Sequence, residues 1–481
     1  MTIRWPLFVG RVHKWLALFI GIQLVIWTVT GMYMVAVHID YIHGDHLVRA
    51  AAAPPQRLAG LVAPAQVVAD HPDASEVKLQ TLLGRPVWRV ESAAGAFAVD
   101  ARSGDRLAPL KAAQARQAAL GIYTGKPEIV SVGLLTGAPL EMQTRKPPYW
   151  RVEFAGWNQP TLYISPSTGE LISRRHNLWR VFDFAWMLHI MEYEQRSNVN
   201  NLLLRFATWS AVLMSLSGAW LLWWSIGRKG KEGGSLKQGR VATRRPIVSP
   251  WLWRTIHKWV GLVLGLQFVL WTISGAVMAL LDMDEVGGHS APAPAQASAA
   301  WPADLLSPAW LGAVEGFTMR RLADRPVYEV VSGGQTRLLD AQSGEPVTVG
   351  PAVAAEVSRQ AFHHDAQIVS VERLGKANLE AREHAGPMWR VNFADDENSS
   401  SYVSAVTGRP LVNRGDTWRV WDFVWMLHNM DYVNRTSFNH PLIIFVAFGA
   451  LWMSFTGFYL LFKSFRRRDF NWVLGRTKRQ A

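Results

Sequence analysis

The sequence predicts a membrane α-helical bundle of four transmembrane spans, arranged as two parallel repeats, with α+β domains outside the membrane. Three observations predict it. Four apolar runs without Asp, Glu, Lys or Arg, at 15–37, 206–226, 259–281 and 441–462, each exceed the roughly 20 residues that cross about 30 Å of hydrocarbon as a helix. The first span and the stretch before the second both recur later in the chain. Lys and Arg gather beside the apolar runs.

The 481 residues suffice for about three domains. With 49% hydrophobic and 18% charged residues the chain is not of disordered composition. It has no cysteine, which excludes disulfides, thiolate nucleophiles, Cys-ligated zinc, iron–sulfur clusters and thiolate- or thioether-bound haem. Its 14 His and 14 Met are the remaining soft or borderline ligands. A net charge of +13 would suit nucleic acid if it formed one patch. Its position beside the spans makes membrane lipid the expected partner instead, with no nucleic acid.

The first run is too long for a signal-peptide core and reads as a signal anchor. Arg4, Arg11 and Lys14 precede it. Arg228, Lys229, Lys231, Lys237, Arg240, Arg244 and Arg245 lie between spans two and three, and Lys463, Arg466, Arg467, Arg468, Arg476, Lys478 and Arg479 follow span four. These three segments are expected in the cytoplasm, and the long segments between spans outside. The expected divisions are 1–37 (N-terminus and span), 38–178 (outer domain pair), 179–226 (Trp/His segment and span) and 227–250 (basic link). They continue with 251–281 (span), 282–417 (second outer pair), 418–462 (Trp/His segment and span) and 463–481 (basic tail).

Between His13–Gly31 and His257–Gly275, ten of nineteen positions are identical. WRVFDFAWMLHIMEY from Trp179 matches WRVWDFVWMLHNMDY from Trp418 at eleven of fifteen, and Ser217-Gly218 matches Thr456-Gly457. Parallel repeats place equivalent residues at equal depth. The outer segments alternate apolar and polar residues up to a Ser/Thr-Gly turn, as in Arg85–Val90, Tyr149–Phe154, Arg325–Tyr328 and Met388–Phe393, and read as β-hairpins. Ala-rich stretches at 64–69, 112–121 and 352–361 read as helices that cover them. Residues 287–300 read as a linker.

The H-K-W…Q…W-T…G span, the W-R-V…T-G strands and the W-M-L-H segment, in this order and twice over, resemble the PepSY-associated transmembrane family. The resemblance implies periplasmic PepSY-like domains on a bacterial inner-membrane protein with both termini cytoplasmic. It further implies b-type haem and reduction of ferric siderophores, with a quinol or other electron donor.

An ionisable side chain at membrane depth is costly and usually functional. His13 and His257 stand at the basic start of spans one and three, and His189 and His428 in the W-M-L-H segments near the other face. With Cys absent, they are the expected axial ligands of two b-type haems, His13 with His257 and His189 with His428. The alternative for each is an interfacial His among Trp and Lys. The segments carrying His189 and His428 also hold Asp183 and Asp422 and read as amphipathic helices lying on the bundle. His38, His43 and His46 match no zinc spacing and read as a solvated loop, His363, His364 and His384 as surface, and His440 as a haem neighbour with no counterpart. Span polar groups such as Gln23, Thr28, Thr30, Gln267, Thr272 and Ser274 are too few for an ion pathway, and no P-loop or G-x-G-x-x-G pattern occurs. Two other functions stay open: a non-enzymatic module that binds or regulates a periplasmic partner, and a siderophore permease.

Overall fold

The computed structural model describes residues 5–49, 54–142, 144–227, 250–288, 300–362, 366–465 and 467–470. Arg4, the basic link 228–245, Arg466, the basic residues 476–479, His289, His363, His364 and most of the expected linker lie outside the described residues.

Helix α1 (Trp5–Ala36) is followed by short α2 (Ile39–His43), strand β1 (Gln56–Arg57) and α3 (Pro64–Asp70). Strands β2 (Ala74–Leu82), β3 (Arg85–Ser92) and β4 (Phe97–Asp100) come next, then α4 (Ala112–Ile122). Strands β5 (Ile129–Leu135), β6 (Tyr149–Phe154), β7 (Thr161–Ile164) and β8 (Leu171–Arg175) lead to α5 (Asn177–Ile190) and α6 (Leu202–Gly227). The second half runs α7 (Pro250–Met278), α8 (Met283–Val286), β9 (Ala313–Val314), β10 (Gly316–Leu322), β11 (Arg325–Ser332) and β12 (Gln335–Asp340). It closes with α9 (Pro351–Phe362), β13 (Ile368–Leu374), β14 (Met388–Phe393), β15 (Ser400–Ser404), β16 (Pro410–Arg414), α10 (Asp416–Asn429) and α11 (Pro441–Ser464).

The chain forms two compact units, one holding the long helices (1–42, 181–281, 421–481) and one holding the sheets (43–180, 282–420). In the helical unit α1, α6, α7 and α11 are each long and apolar enough to cross a membrane. They form a ring: α1 and α7 each pack against both α6 and α11, so α1 and α7 stand across the bundle from one another. Phe19, Leu202, Val263, Leu266, Phe445 and Phe462 are exposed on the outside, a surface suited to hydrocarbon. Where α11 crosses α7 the Leu264 side chain packs onto Gly449, and a Cβ there would lie 2.2 Å from Leu264 Cδ1.

Helices α1 and α7 begin earlier than the apolar runs suggest. Pro6 and Pro250 fall in the first turn, where a missing N–H costs nothing, and the basic residues that follow do not interrupt a helix. His13 and His257 therefore lie about two turns inside their helices, not at the ends. The far ends are capped from the opposite half. Asn439 Nδ2 donates to the carbonyls of Met34, Val35 and Val37 at 3.1, 3.0 and 3.0 Å, and Asn200 Nδ2 to those of Ala279, at 3.3 Å, and Leu281.

The sheet unit contains a six-stranded antiparallel sheet ordered β12-β11-β10-β2-β3-β4, and two four-stranded meanders, β5-β6-β7-β8 and β13-β14-β15-β16. Each expected hairpin gains a preceding strand. The two halves share the six-stranded sheet, because β2 pairs with β10 through Lys78 with Thr318, Val77 with Met319 and Glu76 with Arg320. Trp88, Phe317 and Tyr328 fill the core of that sheet, fully buried, each contributing roughly 2–3 kcal/mol by area burial. Helices α3, α4 and α9 occupy the three Ala-rich stretches; in the remaining module the described residues form the 3-10 turn Pro308–Trp310 there.

In each meander a carboxylate gathers the first turn of the next helix. Arg180 Nε of α5 donates to Glu141 at 2.8 Å, and Tyr163 OH donates to the same carboxylate. Arg419 Nε of α10 and Tyr402 OH donate to Glu380 at 2.8 and 2.5 Å. Burial alone would raise the Glu141 carboxyl, but the bonds from Arg180 and Tyr163 and the charges of Arg180 and Arg151 hold it below the usual carboxylate range. Glu380 is held low in the same way, burial being outweighed by Arg419, Tyr402 and Arg390.

Candidate functional site

The four histidines singled out in the sequence all face partners inside the helical unit. On α1, His13 Nδ1 lies 2.9 Å from Ser217 Oγ and 3.2 Å from the Met214 carbonyl, both on α6. On α7, His257 Nδ1 lies 3.1 Å from Thr456 Oγ1 on α11. A glycine flanks each ring so tightly that a Cβ on Gly218 or Gly457 would sit 3.1 Å from the imidazole Cε1.

The other two rings repeat the pattern further along the bundle. His189, near the end of α5, has Nδ1 3.0 Å from Thr30 Oγ1 on α1, and His428, near the end of α10, has Nδ1 3.0 Å from Ser274 Oγ on α7. A Cβ on Gly31 would meet His189 Cε1 at 3.7 Å, and one on Gly275 would meet His428 Cε1 at 3.6 Å. Along α1, His13 and Thr30 are 17 residues apart, about 25 Å of helix. The four imidazoles thus occupy two levels.

Within each level the rings come from different halves, His13 on α1 with His257 on α7, and His189 beside α1 with His428 beside α7. Their Nδ1 atoms are engaged; among the described residues no hydrogen bond involves any of the four Nε2 atoms. Imidazole nitrogens are good ligands for haem iron, and small residues beside them leave room for a flat group.

The segments carrying His189 and His428 pack on the bundle through their ends. Their final turns tuck against the spanning helices. Gln23 Nε2 donates to the Leu188 carbonyl at 3.2 Å and Trp27 Nε1 to that of His189 at 2.7 Å. Gln267 and Trp271 do the same for Leu427 and His428, at 3.2 and 2.7 Å. These side chains satisfy carbonyls that a helix C-terminus leaves orphaned, which is why such groups can sit in apolar spans.

The expectation that His440 has no counterpart is corrected. Its Nε2 donates to the Asn429 carbonyl at 2.9 Å and its Nδ1 accepts from the Ile443 N–H at 3.4 Å, so both nitrogens are spent joining α10 to α11. It has a counterpart: Asn201 donates to the Ile190 carbonyl at 2.9 Å and accepts from the Leu204 N–H at 2.8 Å. His38 lies 3.5 Å from Asp40, and His46 packs edge-on against the buried His176 at 5.8 Å. No cluster of three or more His, Asp or Glu side chains suited to a metal ion occurs among the described residues. Sequence reasoning noted Thr30, Ser274, Ser217 and Thr456 only as span or repeat residues; their fixed spacing to glycine in S/T-G pairs was the available signal.

The family model for the PepSY-associated TM region matches residues 10–336. No curated protein matches the chain.

Proposed function

We propose, for a chain that belongs to the PepSY-associated TM region family, that it is a di-haem b oxidoreductase of the bacterial inner membrane which reduces ferric siderophore at the periplasmic face. One observation carries this reading: two cross-bundle pairs of imidazoles, each with Nδ1 engaged and Nε2 unengaged, at levels about 25 Å apart. The donor set suits b-type haem, because no cysteine is present and small residues flank every ring. His13 and His257 would hold one haem, and His189 and His428 the other. When bound, such a group supplies one-electron transfer at iron.

The chain's own residues do the rest. Trp27, Gln23, Trp271 and Gln267 fix the backbone of the two outer ligands. The apolar ring of α1, α6, α7 and α11 excludes water and bulk ions. In this reading the halves are parallel repeats, the basic segments are cytoplasmic and the sheet unit is periplasmic. Electrons enter from a quinol or other cytoplasmic-side donor. The substrate, Fe(III) in a hard-oxygen chelate, gains one electron to become Fe(II), which such ligands hold less tightly.

The test uses the full-length protein with haem supplied during expression. Pyridine haemochrome should give two haems per chain, and low-temperature EPR two low-spin ferric signals. His13→Ala and His257→Ala should abolish the same signal, and His189→Ala and His428→Ala the other. A colourless chain would overturn the reading in favour of a non-enzymatic binding module. Loss of one signal by His13→Ala with His189→Ala, and of the other by His257→Ala with His428→Ala, would overturn the cross-half pairing.

A further inference from the structure

Each of the four histidines meets a hydroxyl whose single proton is already committed. Ser217 Oγ donates to the Met214 carbonyl at 2.7 Å, and Thr456 Oγ1 to that of Met453 at 2.9 Å. Thr30 Oγ1 donates to the Ile26 carbonyl at 2.8 Å, with Trp27 at 3.2 Å, and Ser274 Oγ to the Leu270 carbonyl at 2.7 Å, with Trp271 at 3.2 Å. A hydroxyl has one proton to give and two lone pairs to receive with. Toward the ring it can therefore only accept. At His13 the neighbouring Met214 carbonyl, which has no proton at all, forces the same conclusion.

We infer that Ser217, Thr456, Thr30 and Ser274 are positioning residues that lock His13, His257, His189 and His428 in the Nδ1–H tautomer, with the Nε2 lone pair presented to a ligand. The proton balance is closed at every site: Nδ1–H donates to the hydroxyl, the hydroxyl donates to its own helix, and Nε2 carries no proton. The inference rests on the haem reading for its consequence, not for its geometry. An outer-shell acceptor on the far nitrogen of a ligating imidazole orients the ring and raises its basicity. A neutral hydroxyl does this less strongly than a carboxylate, which favours the ferrous form of a bound haem.

The four sites differ in redundancy. His13 keeps the Met214 carbonyl as a second acceptor at 3.2 Å. Among the described residues the Nδ1 hydrogen bonds of His257, His189 and His428 run to Thr456, Thr30 and Ser274. Removing the hydroxyl should therefore act least at His13, through Ser217.

The experiment uses the full-length protein and two readouts. In haem-loaded protein, Thr30→Val and Ser274→Ala should raise the midpoint potential of one haem and move the g-values of its low-spin signal, while leaving the other haem unchanged. Thr30→Ser and Ser274→Thr should restore both quantities. Ser217→Ala should shift the other haem less. Unchanged potential and g-values in Thr30→Val and Ser274→Ala, with both haems retained, would overturn the positioning role. Independently, nitrogen-15 spectra of histidine-labelled protein from haem-deficient cells, assigned with the four His→Ala variants, should show protonated Nδ1 and unprotonated Nε2. Protonated Nε2 at these residues overturns the tautomer assignment. A colourless wild type refutes the haem reading alone, and the nitrogen spectrum then decides the inference.

Discussion

The two halves of the chain agree in the helical unit and disagree in the sheets. In the bundle, His13 and His257 meet a hydroxyl and a glycine in the same geometry, and so do His189 and His428. In the six-stranded sheet the equivalent ion pair is reversed. Arg89 Nε bonds Glu170 at 2.7 Å in the first half, whereas in the second Glu329 takes the place of Arg89 and receives Arg409 Nε at 3.0 Å in the place of Glu170. The sheet requires only that opposite charges meet, and either order serves. The bundle requires one chemistry, an imidazole beside a hydroxyl, on both sides. Side chains that merely hold a fold can trade places; side chains that present a lone pair cannot.

Three measurements break or sharpen this contrast. The largest effect is expected at the glycines. Gly218→Ala or Gly457→Ala forces a methyl to 3.1 Å from a histidine carbon and should weaken haem retention at that level about tenfold, as overpacking by 1–3 kcal/mol does. Gly31→Ala and Gly275→Ala, at 3.7 and 3.6 Å, should retain both haems by pyridine haemochrome after gel filtration. Equal losses in all four variants would erase the distinction between the levels.

A smaller effect is expected at the reversed pair. Arg89→Glu places a carboxylate beside Glu170 and Glu91 and should lower stability by about 1–2 kcal/mol, since Glu170 is 41% exposed and water screens part of the repulsion. Arg89→Glu with Glu170→Arg installs the second half's arrangement in the first and should recover most of that loss in thermal unfolding followed by tryptophan fluorescence. If the double variant is no better than the single one, the halves are not interchangeable there.

The smallest effect concerns pH. Glu141 and Glu380 have folded-state pKa values below their unfolded ones, so their contribution is complete above about pH 4.3 and is lost as pH falls through the lowered values. Glu141→Gln should flatten the acid limb of the unfolding profile, and Glu380→Gln should do so to a similar degree because the two sites share their partners' chemistry. Acid sensitivity that persists in the double variant would assign the limb to other carboxylates.

The spans and the four histidines were legible because long uncharged runs and a repeated H-K-W or W-M-L-H word carry their meaning locally. The true starts of α1 and α7 were not, since Arg11 and Lys14 end an apolar count without ending a helix. The inward tuck of α5 and α10 hangs on side chains of another helix, Gln23 and Gln267, which spacing along α5 and α10 cannot reveal. The counterpart of His440 was missed because Asn201 does the same job with a different side chain. The shared six-stranded sheet was invisible for a further reason. The alternation of β2 is satisfied by any strand with a matching face, and nothing local names β10 as the one.

That shared sheet has a consequence for how the chain is made. Lys78 and its partner Thr318 are 240 residues apart, with α6 and α7 encoded between them. At about 5–20 residues per second, β2 waits roughly 10–50 s after synthesis for the strand that completes it. Throughout that interval its outer row of N–H and C=O groups is an open edge able to accept a stray strand. The nascent first half is thus a half-built sheet that only the arrival of the second half can close.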